Sequence, residues 1–281
     1  MKRILLVLVL TACPLPLAAG DDGLAGSAWI GLTALEFDYE EFDDRGDSLD
    51  REQGLLPGLV AGADLEHERG FVGAGLLWLS GDADYTSPAV DTRTDEDILN
   101  LELMAGTRLF AWEEQRLSLI AGVGYRKWRR NIRSTAQAYG LDETYRWGYG
   151  LLGLRGEHAF NGLTRLVTDL GVTRTINPDL EVRFLQGFDD VGLALGEETG
   201  FKITLALHRQ LGRTTILRVA PWYEYWELGR SSDTTLLRNG VPAGVVFEPR
   251  SETSNYGVNI GLSWRFGVNA VTPSYRYWRH R

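Results

Sequence analysis

The chain is expected to be all-β: an up-and-down antiparallel transmembrane β-barrel of about ten strands. Three observations carry this expectation. Apolar and polar residues alternate with a period of two through ten separate segments, as strands between lipid and a polar lumen require. The connections between those segments alternate short and long, the pattern of turns at one barrel end and loops at the other. Hydrophobic residues make up 44% of the 281 residues, yet no internal run approaches the roughly 20 apolar residues of a spanning helix. The 33 glycines, 9 tryptophans, 11 tyrosines and 10 phenylalanines suit a barrel wall, where glycine relieves crowding and aromatic rings sit at the membrane interfaces.

Residues 1–20 read as a signal peptide. Lys2 and Arg3 give the charged start, Ile4 to Leu10 the apolar stretch, and Ala18-Ala19-Gly20 a small-residue cleavage site. Leu10-Thr11-Ala12-Cys13 offers a second reading, a lipoprotein signal in which Cys13 carries lipid, although Pro14 follows it directly. Cleavage after Gly20 leaves no cysteine, so no disulfide is needed in an oxidising compartment. Export and a barrel together place the protein in the outer membrane of a Gram-negative-type cell. The barrel is expected over residues 21–266. A basic aromatic tail, residues 267–281, carries Tyr275, Tyr277, Trp278, Arg279 and Arg281.

The strands follow in order, apolar face first and taken as outward. Trp29, Leu35, Phe37 and Tyr39 oppose Glu36, Asp38 and Glu40. Leu55, Leu59, Ala61 and Leu65 oppose Gly58, Gly62, Asp64 and Glu66. Phe71, Leu77 and Leu79 oppose Trp78, Ser80, Asp82 and Asp84. Leu99, Leu101, Leu103 and Leu109 oppose Asn100, Glu102 and Arg108. Leu117, Leu119, Val123 and Tyr125 oppose Ser118, Arg126 and Arg130. Tyr145, Trp147, Tyr149 and Leu151 oppose Arg146, Gly148 and Gly150. Leu166, Leu170 and Val172 oppose Arg165, Asp169 and Thr173. Phe201, Ile203, Leu205 and Leu207 oppose Lys202, Thr204 and His208. Leu217, Val219, Tyr223 and Tyr225 oppose Arg218, Glu224 and Trp226. Tyr256, Val258, Ile260, Leu262, Trp264 and Phe266 oppose Asn255, Asn259, Ser263 and Arg265.

Short connections are expected at His67–Gly70, Ala111–Arg116, Ala159–Gly162 and Gln210–Thr214. Long ones are expected at Asp43–Arg51, Tyr85–Glu96, Asn131–Glu143, Asn177–Glu197 and Arg230–Arg250. Within the last, Asn239-Gly240 favours a type I′ hairpin turn.

The inward charges segregate. Early strands offer Glu36, Asp38, Glu40, Asp64, Glu66, Asp82, Asp84 and Glu102 against Arg108. Later strands offer Arg126, Arg130, Arg146, Arg165, Lys202, Arg218 and Arg265 against Asp169 and Glu224. In a narrow barrel these halves face one another and are expected to pair and fill the lumen. The net charge of −9 and the lack of long basic runs argue against a nucleic-acid partner. No cofactor is implied, and no two histidines have metal-ligand spacing. A Gly-x-Ser-x-Gly elbow is absent.

Two resemblances add to this reading. Asn259, Gly261, Leu262, Trp264 and Phe266 resemble the C-terminal assembly signal of outer-membrane barrels, which implies recognition by the barrel-assembly machinery. Here fifteen residues follow the closing aromatic. The length and ten strands look like the omptin class of outer-membrane proteases, and Asp82 and Asp84 in Gly81-Asp82-Ala83-Asp84-Tyr85 resemble that class's Asp-x-Asp pair. No Asp-His pair accompanies it, so the catalytic set is incomplete. The expected function is an integral outer-membrane barrel with a charged, filled lumen, serving surface interaction or envelope maintenance. Its expected partners are outer-membrane lipid and lipopolysaccharide, the assembly machinery and a possible external ligand. An omptin-like hydrolase and a narrow ion channel are the alternatives.

Overall fold

The computed structural model describes residues 25–267. The signal segment and the basic tail after Gly267 lie outside the described residues. The elements are β1 (Ala25–Phe42), β2 (Ser48–His67), β3 (Gly70–Thr86), β4 (Asp91–Trp112), β5 (Gln115–Ile132), β6 (Leu141–Asn161), β7 (Thr164–Phe184), β8 (Val191–Ala194), β9 (Thr199–Gln210), β10 (Thr215–Leu228), β11 (Thr234–Arg238), β12 (Val241–Val246) and β13 (Arg250–Gly267). Each wall strand pairs antiparallel with its neighbours, and β13 returns to β1, closing a ten-stranded up-and-down barrel. The extra strand β8 continues the wall beside β7 beyond the end of β9.

The closing seam is long and regular. Ala25 pairs with Gly267 at one end and Phe42 with Arg250 at the other, without a register shift. Gly31 stands opposite Gly261, where the two backbones leave no room for a side chain. A Cβ on Gly31 would stand 2.5 Å from the Ile260 carbonyl oxygen and 2.9 Å from the Gly261 Cα.

Short turns at 68–69, 113–114, 162–163 and 211–214 define one end. At the other end the structure corrects the expected loops. Much of the sequence assigned to long connections is strand. The β1–β2 loop is only 43–47 and the β3–β4 loop only 87–90. The wall strand β4 has 22 residues and β7 has 21, about twice the roughly 10 that a tilted spanning strand needs. The barrel therefore rises well above the bilayer. Asn239 and Gly240 both have positive φ, at 51° and 75°, as a type I′ turn demands. They join β11 to β12 in a separate hairpin. Asp189 accepts hydrogen bonds from both turn amides, at 3.0 and 2.8 Å.

This height explains a second correction. Within the bilayer the outer face must be apolar. Above it the outer face meets water and the interior takes the apolar groups. On β1 the outward row runs from exposed Ile30 and Leu32 to Glu36, Asp38 and Glu40, while Leu35, Phe37 and Tyr39 are buried inside. β3 and β6 are inverted in the same way. Val72, Leu76 and Trp78 are exposed outside, while Leu79, Tyr145, Trp147 and Tyr149 are buried inside. The other seven wall strands carry their apolar rows outward, as the alternation predicts.

Cysteines placed at Asp47, Asp91 and Asn239 are expected to label from outside intact cells, and one at Asn161 is not. Labelling at Asn161 alone would reverse the orientation.

Candidate functional site in the barrel interior

The interior is built in levels. Nearest the long-loop end is Arg130 of β5, which is only 2% exposed. Its guanidinium donates to Glu52 at 3.0 Å, to Glu143 at 2.9 Å, to Glu41 at 3.4 Å and to the Tyr145 hydroxyl at 3.0 Å. It also lies 4.4 Å from the centre of the Tyr39 ring. These partners come from β1, β2 and β6, so a planar fork with five donors ties four strands together. Thr94 donates to Glu52 at 2.7 Å.

Glu248, in the connection between β12 and β13, completes this level by accepting from the Tyr145 hydroxyl. Burial and the neighbouring carboxylates of Glu41 and Glu143 hold its carboxyl well above the usual carboxylate range. A raised folded value means that this group's contribution is fully present below its ordinary value of 4.5 and is lost as pH rises through the folded value. The share of stability that Glu248 contributes is therefore expected to fall as the solution is taken upward from about pH 4.5. Glu248→Gln should flatten that slope in denaturant titrations at several pH values. An unchanged slope would mean that Glu248 ionises as freely in the folded barrel as in the unfolded chain.

The next level is aromatic. Trp128 stacks on Tyr145 at 4.8 Å and meets Phe37 and Tyr39 edge-on at 5.7 and 5.1 Å. Its indole nitrogen donates to buried Glu96. Trp147 and Trp226 meet edge-on at 5.8 Å, with the Arg126 guanidinium 5.7 and 5.3 Å from their ring centres. Arg126 donates to Glu224 across the lumen at 2.5 Å, and Asn255 donates to the same carboxylate oxygen at 2.9 Å. Lys202 and the Tyr149 hydroxyl both reach Glu102, at 2.7 and 2.8 Å. Glycine makes room for these rings. A Cβ on Gly124 would stand 2.1 Å from the Tyr149 ring, and one on Gly257 would stand 2.2 Å from Trp222.

Below Asn100 and Glu224 the interior opens into a cavity of about 820 Å³, which extends to His67 and Arg116 at the short-turn end. Its wall carries the ion pairs Arg155–Asp169 at 2.6 Å and Arg165–Glu157 at 2.9 Å.

The predicted lumen charges divide. Asp64, Glu102, Arg108, Arg165, Lys202, Arg218 and Arg265 line the cavity, and Arg126 and Arg130 are buried above it. Glu36, Asp38, Glu40 and Arg146 lie on the outer face, because β1 and β6 turn their aromatic rows inward. Asp38 pairs there with Arg51, and Arg146 with Asp179 and Glu181. Asp82 and Asp84 are also outside, paired with Arg133 at 3.0 Å and Arg93 at 3.1 Å. The described histidines, His67, His158 and His208, lie at the opposite end of the barrel from that pair. Asn259, Gly261, Leu262, Trp264 and Phe266 all fall in β13 along the closing seam.

The sequence reading missed Glu41, Glu52, Glu96, Glu143 and Glu248. Parity could have found Glu52 and Glu96, which share the inward rows of Gly58 and Asp64 on β2 and of Asn100 and Glu102 on β4, whereas Glu41 and Glu143 share rows with Tyr39 and Tyr145 that the alternation placed outward. The loop residue Glu248 left no periodic signal.

A closed ten-stranded antiparallel barrel with an apolar belt around its lower half is an outer-membrane β-barrel, and the chain has that fold. Among solved structures it is similar to the outer membrane protease OmpT from Escherichia coli. The TM-score is 0.63 at 11% identity, over 89% of this chain and 99% of that one. It is also similar to the outer membrane protein OprG from Pseudomonas aeruginosa, with a TM-score of 0.44 at 10% identity, over 89% and 99% of the two chains. At 11% identity the likeness to OmpT is one of fold alone. No family model matches the chain, and no curated protein matches it in sequence.

Proposed function

We propose that this protein is an outer-membrane barrel closed to diffusion, which holds a folded body above the bilayer for surface interaction or envelope maintenance. The observation that carries this reading is the Arg130 level, where one guanidinium meets Glu41, Glu52 and Glu143 directly above the Trp128–Tyr145 stack. Ions crossing the lumen would have to break buried charge pairs there, which is costly. The lower belt contacts outer-membrane lipid and lipopolysaccharide, the row Asn259–Phe266 is read by the barrel-assembly machinery, and an external ligand meets the upper body.

Planar-bilayer recording tests the closure. Wild type is expected to be silent, and the double variant Arg126→Ala with Arg130→Ala is expected to open a measurable ion path where the exposed Arg93→Ala does not. Steady conductance in wild type would overturn the proposal and favour a narrow channel.

A further inference from the structure

The lower interior holds a row of positive and polar groups whose needs the protein meets only in part. Register places Arg165 of β7 beside His208 of β9, and His208 beside Arg218 of β10. All three line the cavity. The two arginines flank His208 with one strand between them, so their charges add along the row and call for negative charge against it. Arg165 has Glu157. Arg218 forms no salt bridge with a described residue, and its guanidinium rests 4.4 Å from the centre of the Trp29 ring.

His208 adds a donor. Its Nδ1 lies 3.2 Å from Arg165 Nη2. A guanidinium nitrogen can only donate, so Nδ1 accepts and the neutral ring carries its hydrogen on Nε2. That Nε2 is buried and has no hydrogen-bond partner in the protein. A cation and an N–H donor thus stand side by side on one cavity wall with acceptors still to be found.

The space beside them is apolar and small-walled. Two residues further from the short-turn end on the same strands are Val167, Ala206 and Ala220, a buried apolar cluster that also lines the cavity. Gly75, also in the lining, has no atom within 4 Å of where a Cβ would stand.

We propose that this cavity binds an organic carboxylate with a short aliphatic body. Its carboxylate lies on Arg218 beside the His208 ring, and its body lies against Val167, Ala206 and Ala220. At this wall Arg218 forms no salt bridge with a described residue, although Asp64 is near enough to act on it, and a single negative charge matches what it still lacks. A doubly charged phosphate would be under-compensated, because Asp64 lines the same cavity. The ligand arrives from the short-turn end, where the lining reaches His67 and Arg116, so the site stands whether or not the levels above conduct.

The test is calorimetric titration of the full chain, folded in dodecyl maltoside, with hexanoate, hexanol and inorganic phosphate. Hexanoate is expected to bind, with hexanol and phosphate at least about tenfold weaker. Arg218→Gln should weaken hexanoate by about tenfold or more, and Ala206→Phe should abolish it by filling the apolar space. Heat-modifiable gel migration establishes that each variant is folded. If Arg218→Gln fails to fold, Ala206→Phe carries the test. If neither folds, the preference of wild type for hexanoate over hexanol decides it. No binding of hexanoate, equal binding of hexanol or phosphate, or equal hexanoate affinity in a folded Arg218→Gln variant would overturn the proposal.

Discussion

Arg130→Ala is expected to destabilise the barrel by about 3–5 kcal/mol, the range for breaking a buried ion pair by removing one partner. The substitution leaves Glu52 fully buried, with Glu41 and Glu143 beside it, and removes the group that ties β5 to β1, β2 and β6. The desolvation cost of those carboxylates remains while the attraction that offset it is gone. Arg93→Ala is the matched control. Arg93 pairs with Asp84 on the outer face, with side-chain exposures of 57% and 74%, and its loss should cost no more than about 0.5 kcal/mol. Unfolding in urea with lipid or detergent held constant makes the comparison. A cost for Arg130→Ala as small as that for Arg93→Ala would mean that water reaches the carboxylates and that the charges at this level are solvated separately.

Leu103→Arg is expected to cost about 2–4 kcal/mol, the range for a basic residue near the midplane of a barrel's lipid face. Leu103 is 60% exposed and points outward from β4, between Ala74 on β3 and Val123 on β5. Exposed Phe110 and Trp112 lie toward the short-turn end. Trp78 and Tyr125 lie the other way, level with Leu99 and Leu101. Aromatic side chains on both sides place Leu103 near the middle of the hydrocarbon. A neutral result would move the belt along the barrel, leaving Leu103 at an interface where the penalty approaches zero.

The sequence carried the fold through two local signals: period-two alternation and turn residues. Both act between near neighbours, so Asn239-Gly240 could be read as a hairpin turn without knowledge of the rest of the chain. The interior was less legible because one rule was asked to cover two solvents. Leu35, Phe37 and Tyr39 look lipid-facing if every outward position meets lipid. On a strand twice the membrane's span, the same residues form the core of a body standing in water. Arg126, Arg130, Lys202 and Arg218 were recoverable because β5, β9 and β10 alternate the same way along their whole length. Their partners were recoverable only in part. Lys202 meets Glu102 from the acidic early strands, whereas Arg126 meets Glu224, a late acid that segregation by sequence does not select.

The seam between β1 and β13 has a kinetic consequence. Its pairs join residues from opposite ends of the described chain, from Ala25 with Gly267 to Phe42 with Arg250. Contacts so distant in sequence carry the largest loop-closure cost and form late. Until they form, both strands present unpaired backbone groups along their whole edges, an invitation to pair with other chains. Hydrocarbon does not tolerate such edges, so closure and full insertion have to occur together. The rate of barrel formation should therefore respond most to changes at the Gly31–Gly261 contact. A side chain there would hold the two edges apart at the step on which membrane entry depends.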